Sequence, residues 1–215
     1  MNWQEKVFRN FRFYVVTDLK SESSDVLQKI ERAYRGGADI IQLRSKVLKD
    51  AALIRLGLKI RKIATRQHKL YFMNDRVDLA LATQADGVHL GQDDLPIWIA
   101  RKLSRQAKQH LWIGKSTHSL AQALAAENEA ADYIGVGPVF NTPTKPDTRS
   151  VGLRLVKQVS QKIRIPFVAI GGIDHTNLAS VMEAGASRVA VVRAVFSASD
   201  PFTAARLLKN KLEGR

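Results

Sequence analysis

Five charged residues follow short apolar runs of the chain, where the ends of buried strands would present them together. They comprise two carboxylates and three cations: Asp75, Asp94, Arg44, Lys46 and Lys145. The chain has no cysteine, and oxygen ligands without paired histidines favour Mg²⁺, which commonly takes one or two carboxylates together with substrate phosphates. The pattern predicts a divalent metal, held by Asp75 and Asp94, and a polyanionic substrate meeting at one face.

Each aspartate also has a simpler interpretation. Asp75 precedes a helical pattern that begins at Arg76, and Asp93 or Asp94 precedes one that begins at Pro96. Aspartate is a favoured N-cap because its carboxylate accepts unpaired backbone N–H groups of the first helical turn. We favour metal binding because the carboxylates occur together with the cluster of cations.

Gln42, Arg44 and Lys46 alternate along the chain. On an extended segment, positions two apart share a face, so the three side chains should point the same way. An amide followed by two cations suits a diphosphate, with arginine as the bidentate partner and lysine as the point charge. The alternative is that Arg44 and Lys46 are ordinary surface residues of a loop.

The elements that must position these residues are eight short apolar runs, each followed by a helical pattern. The predicted strands are 13–17, 40–43, 70–73, 87–90, 112–114, 133–136, 167–170 and 189–192, and the predicted helices are 22–35, 49–67, 76–84, 95–107, 119–129, 152–162, 175–185 and 201–212. Asp174 is a predicted N-cap, and Gly36, Gly37 and Gly185 are predicted to mark helix ends.

Strict β/α alternation repeated eight times predicts an α/β protein with a single-domain (β/α)8 TIM barrel over residues 13–215. Residues 1–12 are predicted to form an N-terminal helix or arm that covers the barrel floor. In such barrels the active site lies at the C-terminal ends of the strands. The charged residues above should therefore converge there.

Other strand ends supply further candidates. The loop 135–147 contains three prolines and the donors Thr142, Thr144 and Lys145, a composition typical of a lid. Segments 169–173 and 191–195 fit a phosphate cup of backbone N–H groups and a short helix, to which Arg193 adds either a phosphate contact or an outward salt bridge.

Two polar residues near the middle of the predicted barrel have competing interpretations. Ser116 is either a hydrogen-bond partner of a substrate heteroatom or part of an N-cap pattern. We interpret His89, within the fourth predicted strand, as a structural histidine with satisfied hydrogen bonds rather than a catalytic one.

Composition limits the class of protein. The chain has 215 residues and a net charge of +14. It shows no signal-peptide core and no apolar stretch of the roughly 18–20 residues that span a bilayer. We therefore expect a cytoplasmic protein without a membrane partner. The charge raises the alternative of a nucleic-acid-binding protein. However, Arg55, Lys59, Lys62 and Arg66 form the solvated stripe of one amphipathic helix, and no nucleic-acid motif is present.

In eight ordered segments after residue 12, the chain resembles the thiamine-phosphate synthase (thiamine-phosphate pyrophosphorylase) family. The segments are YVVTD at 14–18, QLRSK at 42–46, NDRVDLAL at 74–81, GVHLGQDDLP at 87–96, GKSTHS at 114–119, YIGVGPVFNTPTKPD at 133–147, VAIGGID at 168–174 and VVRAV at 191–195. The resemblance implies a transferase of thiamine biosynthesis. It would join an aminopyrimidine-methyl diphosphate to the nitrogen of a thiazole phosphate, making thiamine phosphate and diphosphate with Mg²⁺ as cofactor.

The resemblance also implies residue roles. Asp75 and Asp94 would hold Mg²⁺, and Arg44, Lys46 and Lys145 would be catalytic by stabilising the departing diphosphate. The pyrimidine diphosphate would be bound by Gln42, Arg44, Lys46, Asn74, Ser116 and Lys145. The thiazole phosphate would be bound by Thr142, Pro143, Thr144, Gly172, Val192 and Arg193.

Two residues depart from the family pattern: Arg193 stands where many members carry serine, and Ser45 replaces the commoner acidic residue. The nearest alternative is a thiazole tautomerase-like paralogue, which shares the barrel and needs no metal. Retention of Lys46, Asp75, Asp94 and Lys145 together favours the synthase. The partners we expect are the two small-molecule substrates and, as a further possibility, a second copy of the chain.

Overall fold

The computed structural model, which describes residues 1–143 and 149–214, closes eight parallel strands into a barrel. Each strand pairs with the next, and β8 pairs back with β1. The strands are β1 (Phe13–Val16), β2 (Ile40–Leu43), β3 (Leu70–Asn74), β4 (Gly87–Leu90), β5 (Trp112–Thr117), β6 (Tyr133–Val136), β7 (Phe167–Ile170) and β8 (Val189–Val191). The predicted (β/α)8 TIM barrel is confirmed.

Helices alternate with these strands and cover the outside of the barrel. They are α1 (Trp3–Asn10), α2 (Val26–Arg35), α3 (Asp50–Arg66), α4 (Val77–Ala82), α5 (Ile97–Gln106), α6 (Leu120–Asn128), α7 (Gly152–Lys162), α8 (Leu178–Glu183), α9 (Arg193–Phe196) and α10 (Pro201–Leu212). In the described part of the chain, none of these helices is both long and apolar enough to cross a membrane.

The N-terminal helix α1 packs across the floor of the barrel. Asn2 and Glu5 form a capping box that starts the helix, satisfying backbone donors that would otherwise be unpaired. Phe8 then stacks on Trp112 of β5 with 4.5 Å between ring centroids, and Phe11 packs edge-on against Tyr14 of β1. This aromatic layer fills the lower barrel and leaves the opposite, C-terminal end available for a site.

Three aspartates at the N-terminal ends of alternate strands fasten the barrel, a feature that the sequence analysis missed. The carboxylate that precedes β2, Asp39, accepts the backbone N–H groups of Arg12 and Phe13 at 2.9 and 3.1 Å. The same arrangement recurs between Asp86 and the N–H of Tyr71 at 2.8 Å and between Asp132 and the N–H of Ile113 at 2.6 Å. The available signal was the dipeptide Ala-Asp immediately before β2, β4 and β6.

Several element boundaries differ from the predictions by one to four residues, and those of β5 and α8 have identifiable causes. Strand β5 runs to Thr117, three residues further than predicted, because the buried Lys115 donates to the carbonyl of Gly91 at 2.7 Å and is thereby tolerated inside the fold. Helix α8 begins at Leu178 with Asn177 as its N-cap. The predicted N-cap Asp174 is therefore wrong: its carboxylate instead accepts the backbone N–H and the hydroxyl of Thr176 at 2.8 and 2.6 Å.

The four basic residues of α3 are exposed to solvent, as its amphipathic periodicity predicts. Arg55, Lys59, Lys62 and Arg66 are exposed on α3, while Leu53, Leu56, Ile60 and Ile63 of the same helix are buried. The predicted helix ends are also confirmed, since Gly36 caps α2 and Gly185, in the left-handed region with φ of +101°, follows α8.

Candidate active site

A cavity of about 1000 Å³ opens at the C-terminal ends of the strands. Its lining includes every predicted site residue within the described ranges: Gln42, Arg44, Lys46, Asn74, Asp75, Asp94, Ser116, Thr142, Pro143, Gly172, Val192 and Arg193. Thr144 and Lys145 lie outside the described residues. Parallel pairing explains the convergence, because all eight strands end on the same side of a closed barrel.

Asp75 and Asp94 face each other within hydrogen-bonding reach. Asp75 follows β3 in the left-handed region, with φ of +60°, a conformation that aspartate adopts more readily than most residues. The N-caps of α4 and α5 are Arg76 and Pro96, without a side-chain cap in either helix. The helix-capping interpretation of these aspartates is therefore wrong.

The two carboxylates have opposite protonation tendencies. Burial, followed by the neighbouring Asp75, raises the pKa of Asp94. Burial also opposes ionisation of Asp75, but its hydrogen bonds with Lys46 and Asp94 outweigh burial and lower the pKa of Asp75. The pair thus concentrates negative charge that a bound cation would relieve.

The donors of this pair fit Mg²⁺. Both are hard carboxylate oxygens, the ligand type that Mg²⁺ prefers. Among the described residues no group of three or more histidine, cysteine, aspartate or glutamate side chains could hold a metal. The remaining ligands would have to come from water and from a substrate phosphate, which is the usual arrangement for Mg²⁺.

The three residues predicted to bind the diphosphate, Gln42, Arg44 and Lys46, line one edge of the cavity. Gln42 donates from Nε2 to the Tyr14 hydroxyl at 2.8 Å, and Lys46 Nζ lies 2.6 Å from Asp75 Oδ2. Arg44, with only 11% of its side chain exposed, pairs with Asp18. Arg44 is therefore not an ordinary surface residue, and the sequence analysis missed Asp18 although it follows β1 as the other charged residues follow their strands.

A buried lysine supports the loop that carries Asp94. Lys115 donates to the carbonyl of Gly91, and the N–H of Gly91 donates to Asp94 Oδ2 at 2.5 Å. The side chain of Lys115 is thereby linked to the position of the Asp94 carboxylate through one residue, Gly91. No sequence pattern indicates this role, because a lone lysine at a strand end is typical of a solvent-exposed charge.

The opposite side of the cavity is built from the loops after β6, β7 and β8. Gly172 adopts φ of +64°, and a Cβ atom there would lie 2.8 Å from the carbonyl oxygen of Asn141. Only glycine permits this backbone to approach the segment that continues into Thr142 and Pro143. On the β8 side, Val192 is the N-cap of α9.

Arg193 is the first residue of α9 and lines the cavity with an exposed side chain. Within the described part of the chain it forms no salt bridge. The geometry therefore gives no support to the outward salt bridge and leaves the guanidinium available to a bound anion.

The inner wall of the cavity is a hydrogen-bonded row of side chains. His89 contacts the Tyr133 hydroxyl through Nδ1 and the Ser116 hydroxyl through Nε2, both at 2.9 Å. The expectation of a satisfied structural histidine agrees with these partners.

The N-cap that follows Ser116 is Ser119, which accepts the N–H of Gln122, so Ser116 is free of the capping role. Tyr14 and Tyr133 were missed because aromatic residues in apolar strands read as core.

Comparison with known proteins gives a consistent result. The family model for thiamine monophosphate synthase matches residues 13–195. The chain is 45% identical over 202 residues to a thiamine-phosphate synthase of Chloroflexus aurantiacus, covering 93% of this chain and 92% of the relative. It is 46% identical over 190 residues to that of Gloeobacter violaceus, covering 88% of this chain but only 54% of the relative.

A solved structure resembles the whole chain. The thiamine phosphate pyrophosphorylase of Pyrococcus furiosus superposes with a TM-score of 0.86 and 37% sequence identity, covering 99% of this chain and 98% of that one. The Gloeobacter relative is much longer, so this chain spans about half of its length, whereas it spans nearly all of the Chloroflexus relative and the Pyrococcus structure.

Proposed function

Because the chain belongs to the thiamine monophosphate synthase family, we propose that it transfers the aminopyrimidine-methyl group of a pyrimidine diphosphate to the nitrogen of a thiazole phosphate. The products are thiamine phosphate and diphosphate. The observation that carries the proposal is the convergence of Asp75, Asp94, Arg44 and Lys46 on one cavity. Carboxylates and cations at the same strand ends support a site in which a metal and a diphosphate meet.

The cations of the chain bind and stabilise the leaving group. Arg44 offers a planar guanidinium and Lys46 a point charge, two positions apart just after the end of β2. Oriented positive charge in a partly enclosed site stabilises negative charge that develops as a bond breaks. Mg²⁺, held by Asp75 and Asp94 when bound, would supply further neutralisation of the diphosphate.

Bond breaking and bond making then follow from positioning. The C–O bond to the diphosphate breaks, and the electron-rich aminopyrimidine stabilises the resulting methylene cation. The thiazole nitrogen donates its electron pair to that carbon and forms the new C–N bond. Holding the thiazole phosphate near Thr142, Gly172 and Arg193 keeps the two rings adjacent, which removes much of the entropic cost of the encounter. No protein nucleophile takes part in this scheme.

The test is incubation of the purified chain with the pyrimidine diphosphate, the thiazole phosphate and Mg²⁺, with detection of thiamine phosphate by mass spectrometry and of diphosphate by a coupled assay. We expect stoichiometric formation of both products and no thiamine phosphate when either substrate is omitted. Absence of both products with a folded protein would refute the proposed reaction. Loss of product on chelation of the metal would support the Mg²⁺ requirement separately.

A further inference from the structure

We propose that Tyr14 and Tyr133 are positioning residues that fix the direction of a hydrogen-bond relay ending at Ser116. The relay makes the Ser116 hydroxyl a donor into the cavity, so the group that it recognises is a hydrogen-bond acceptor. The inference rests on the proposed function only for the identity of that acceptor. The direction of the relay follows from the unliganded chain.

Five side chains form the relay in an unbroken order. Gln42 Nε2 lies 2.8 Å from the Tyr14 hydroxyl, which lies 3.2 Å from the Tyr133 hydroxyl. His89 then bridges the Tyr133 and Ser116 hydroxyls with 2.9 Å to each ring nitrogen. Gln42, Tyr14 and Tyr133 are each less than 5% exposed. Water therefore has little access to the start of the relay.

Proton counting sets the direction. The Gln42 amide nitrogen can only donate, so the Tyr14 oxygen accepts and its own proton needs another acceptor. Among the described residues the remaining partner of Tyr14 is the Tyr133 hydroxyl. Tyr133 therefore accepts a hydrogen bond from Tyr14 and donates one to His89 Nδ1.

The ring of His89 transmits this direction to Ser116. With Nδ1 acting as an acceptor, the ring proton lies on Nε2, which donates to Ser116 Oγ. The serine oxygen then has an incoming donor, and its own proton is directed away from His89. Since Ser116 lines the cavity, that proton is available to a bound molecule.

The backbone around the relay leaves little room for another arrangement. A Cβ atom at Gly114 would lie 2.2 Å from the Tyr133 ring, and one at Gly135 would lie 3.1 Å from the ring carbon Cε1 of His89. Both strands therefore have glycine at the position where a ring packs against them. From below, Phe11 packs edge-on against Tyr133. The rings are held by packing on both sides, so the relay is preorganised rather than assembled by the ligand.

The chemistry of the acceptor follows from the substrate class. An aminopyrimidine presents ring nitrogens, which accept, and an exocyclic amine, which donates. A donor hydroxyl at Ser116 selects a ring nitrogen and leaves the amine to an acceptor elsewhere. The relay thereby contributes to the orientation of the pyrimidine in the cavity.

The direct test is ¹⁵N spectroscopy of the unliganded chain labelled at histidine. The chain has five histidines, and comparison with His89→Gln assigns the signals of His89. We expect one tautomer, with a pyridine-like Nδ1 and a pyrrole-like Nε2. A protonated Nδ1 would overturn the proposal, because the relay would then run in the opposite direction.

Tyr133→Phe removes the donor to Nδ1 while keeping the ring. We expect mixed tautomers of His89 and a rise of about 10-fold in KM for the pyrimidine diphosphate, the value of one buried hydrogen bond, with KM for the thiazole phosphate unchanged. Tyr71→Phe is the matched control. Its hydroxyl is equally buried and pairs with Thr83 at 3.2 Å outside the cavity, so both KM values should remain those of the unmodified chain.

The outcomes separate the relay from the proposed function. A single tautomer in a chain that forms no thiamine phosphate would retain the relay and refute the function. Normal turnover with an unchanged KM and unchanged His89 signals in Tyr133→Phe would retain the function and refute the relay. If Tyr133→Phe fails to fold, Tyr14→Phe provides the second variant. That variant leaves the Tyr133 oxygen without its incoming hydrogen bond, so the Tyr133 hydroxyl is no longer directed toward His89 Nδ1 and we expect mixed tautomers of His89. An unchanged His89 spectrum together with an unchanged KM would overturn the proposal.

Discussion

Lys46 and Asp75 form an ion pair across the ends of β2 and β3, with 2.6 Å between Nζ and Oδ2. Neighbouring parallel strands bring these residues together although they lie 29 positions apart in the chain. The cation proposed to bind diphosphate and a carboxylate proposed to bind Mg²⁺ thus occupy one point of the cavity. The positive charge of Lys46 and the negative charge of Asp75 therefore neutralise each other in the unliganded chain.

Asp75→Asn should slow Mg²⁺-dependent diphosphate release strongly, because a neutral amide is a poor ligand for a hard dication. We expect turnover to fall by roughly 10²–10³-fold, the usual effect of removing one electrostatic contact to the transition state. Asp94→Asn should behave similarly. Asp50→Asn is the control, since Asp50 is an exposed aspartate that pairs with Arg76 away from the cavity lining. Full activity of both Asp75→Asn and Asp94→Asn would exclude the metal role.

Lys115→Met should weaken Mg²⁺ binding without removing a ligand. The substitution deletes the hydrogen bond to the Gly91 carbonyl and frees the loop whose N–H orients Asp94. Outer partners of metal ligands commonly account for about 10–100-fold in affinity. We therefore expect the half-saturating Mg²⁺ concentration to rise about 10-fold, with turnover recovered at high Mg²⁺. Lys59→Met, on the exposed face of α3, is the control and should leave the Mg²⁺ titration unchanged. An unchanged titration in Lys115→Met would show that Lys115 does not support Mg²⁺ binding.

Arg193→Ala should raise KM for the thiazole phosphate selectively. The guanidinium lines the cavity beside the loops after β7 and β8, and a charge-assisted hydrogen bond to phosphate contributes about 1.5–3 kcal/mol. We expect a rise of about 10-fold or more in KM for this substrate, and none for the pyrimidine diphosphate. Arg206→Ala on α10, where the arginine stacks over Phe202, is the matched control. Equal KM values for Arg193→Ala and the unmodified chain would show that the side chain does not contact the phosphate.

Asp39→Asn should make stability depend less on pH. Burial opposes ionisation of Asp39, but Lys69, Lys209 and the N–H of Arg12 outweigh it, so the pKa of this carboxyl is lowered in the folded chain. Stability from the carboxylate is therefore present above the pKa of the unfolded chain, near 3.9, and is lost as pH falls through the lower folded value.

Urea unfolding measures this contribution. At pH 7 Asp39→Asn should cost about 3 kcal/mol, since it leaves two lysines near a neutral side chain. The difference from the unmodified chain should shrink progressively as the pH falls below about 4. The surface variant Glu22→Gln, which removes an exposed pair with Arg55, should show no comparable loss at pH 7. A pH-independent cost for Asp39→Asn would contradict the linkage.

The sequence by itself determined the fold and much of the candidate site. Short apolar runs locate the strands and period-3.6 patterns locate the helices without tertiary information. Closure of a barrel then brings the C-terminal ends of all strands to one face. That rule was sufficient to group Asp75 and Asp94 with Arg44 and Lys46. The departures from expectation were local, such as the longer β5, whose polar end is decided by partners on other strands.

Only the tertiary structure decided which polar groups pair. The contacts Arg44–Asp18, Lys115–Gly91 and Asp39–Phe13 join residues distant in the chain, and their partners depend on strand register and rotamer rather than on local spacing. The tyrosines of the relay illustrate the same limit. In the sequence Tyr14 and Tyr133 are apolar strand residues, and their hydroxyls acquire a direction only where the closed barrel places them between Gln42 and His89.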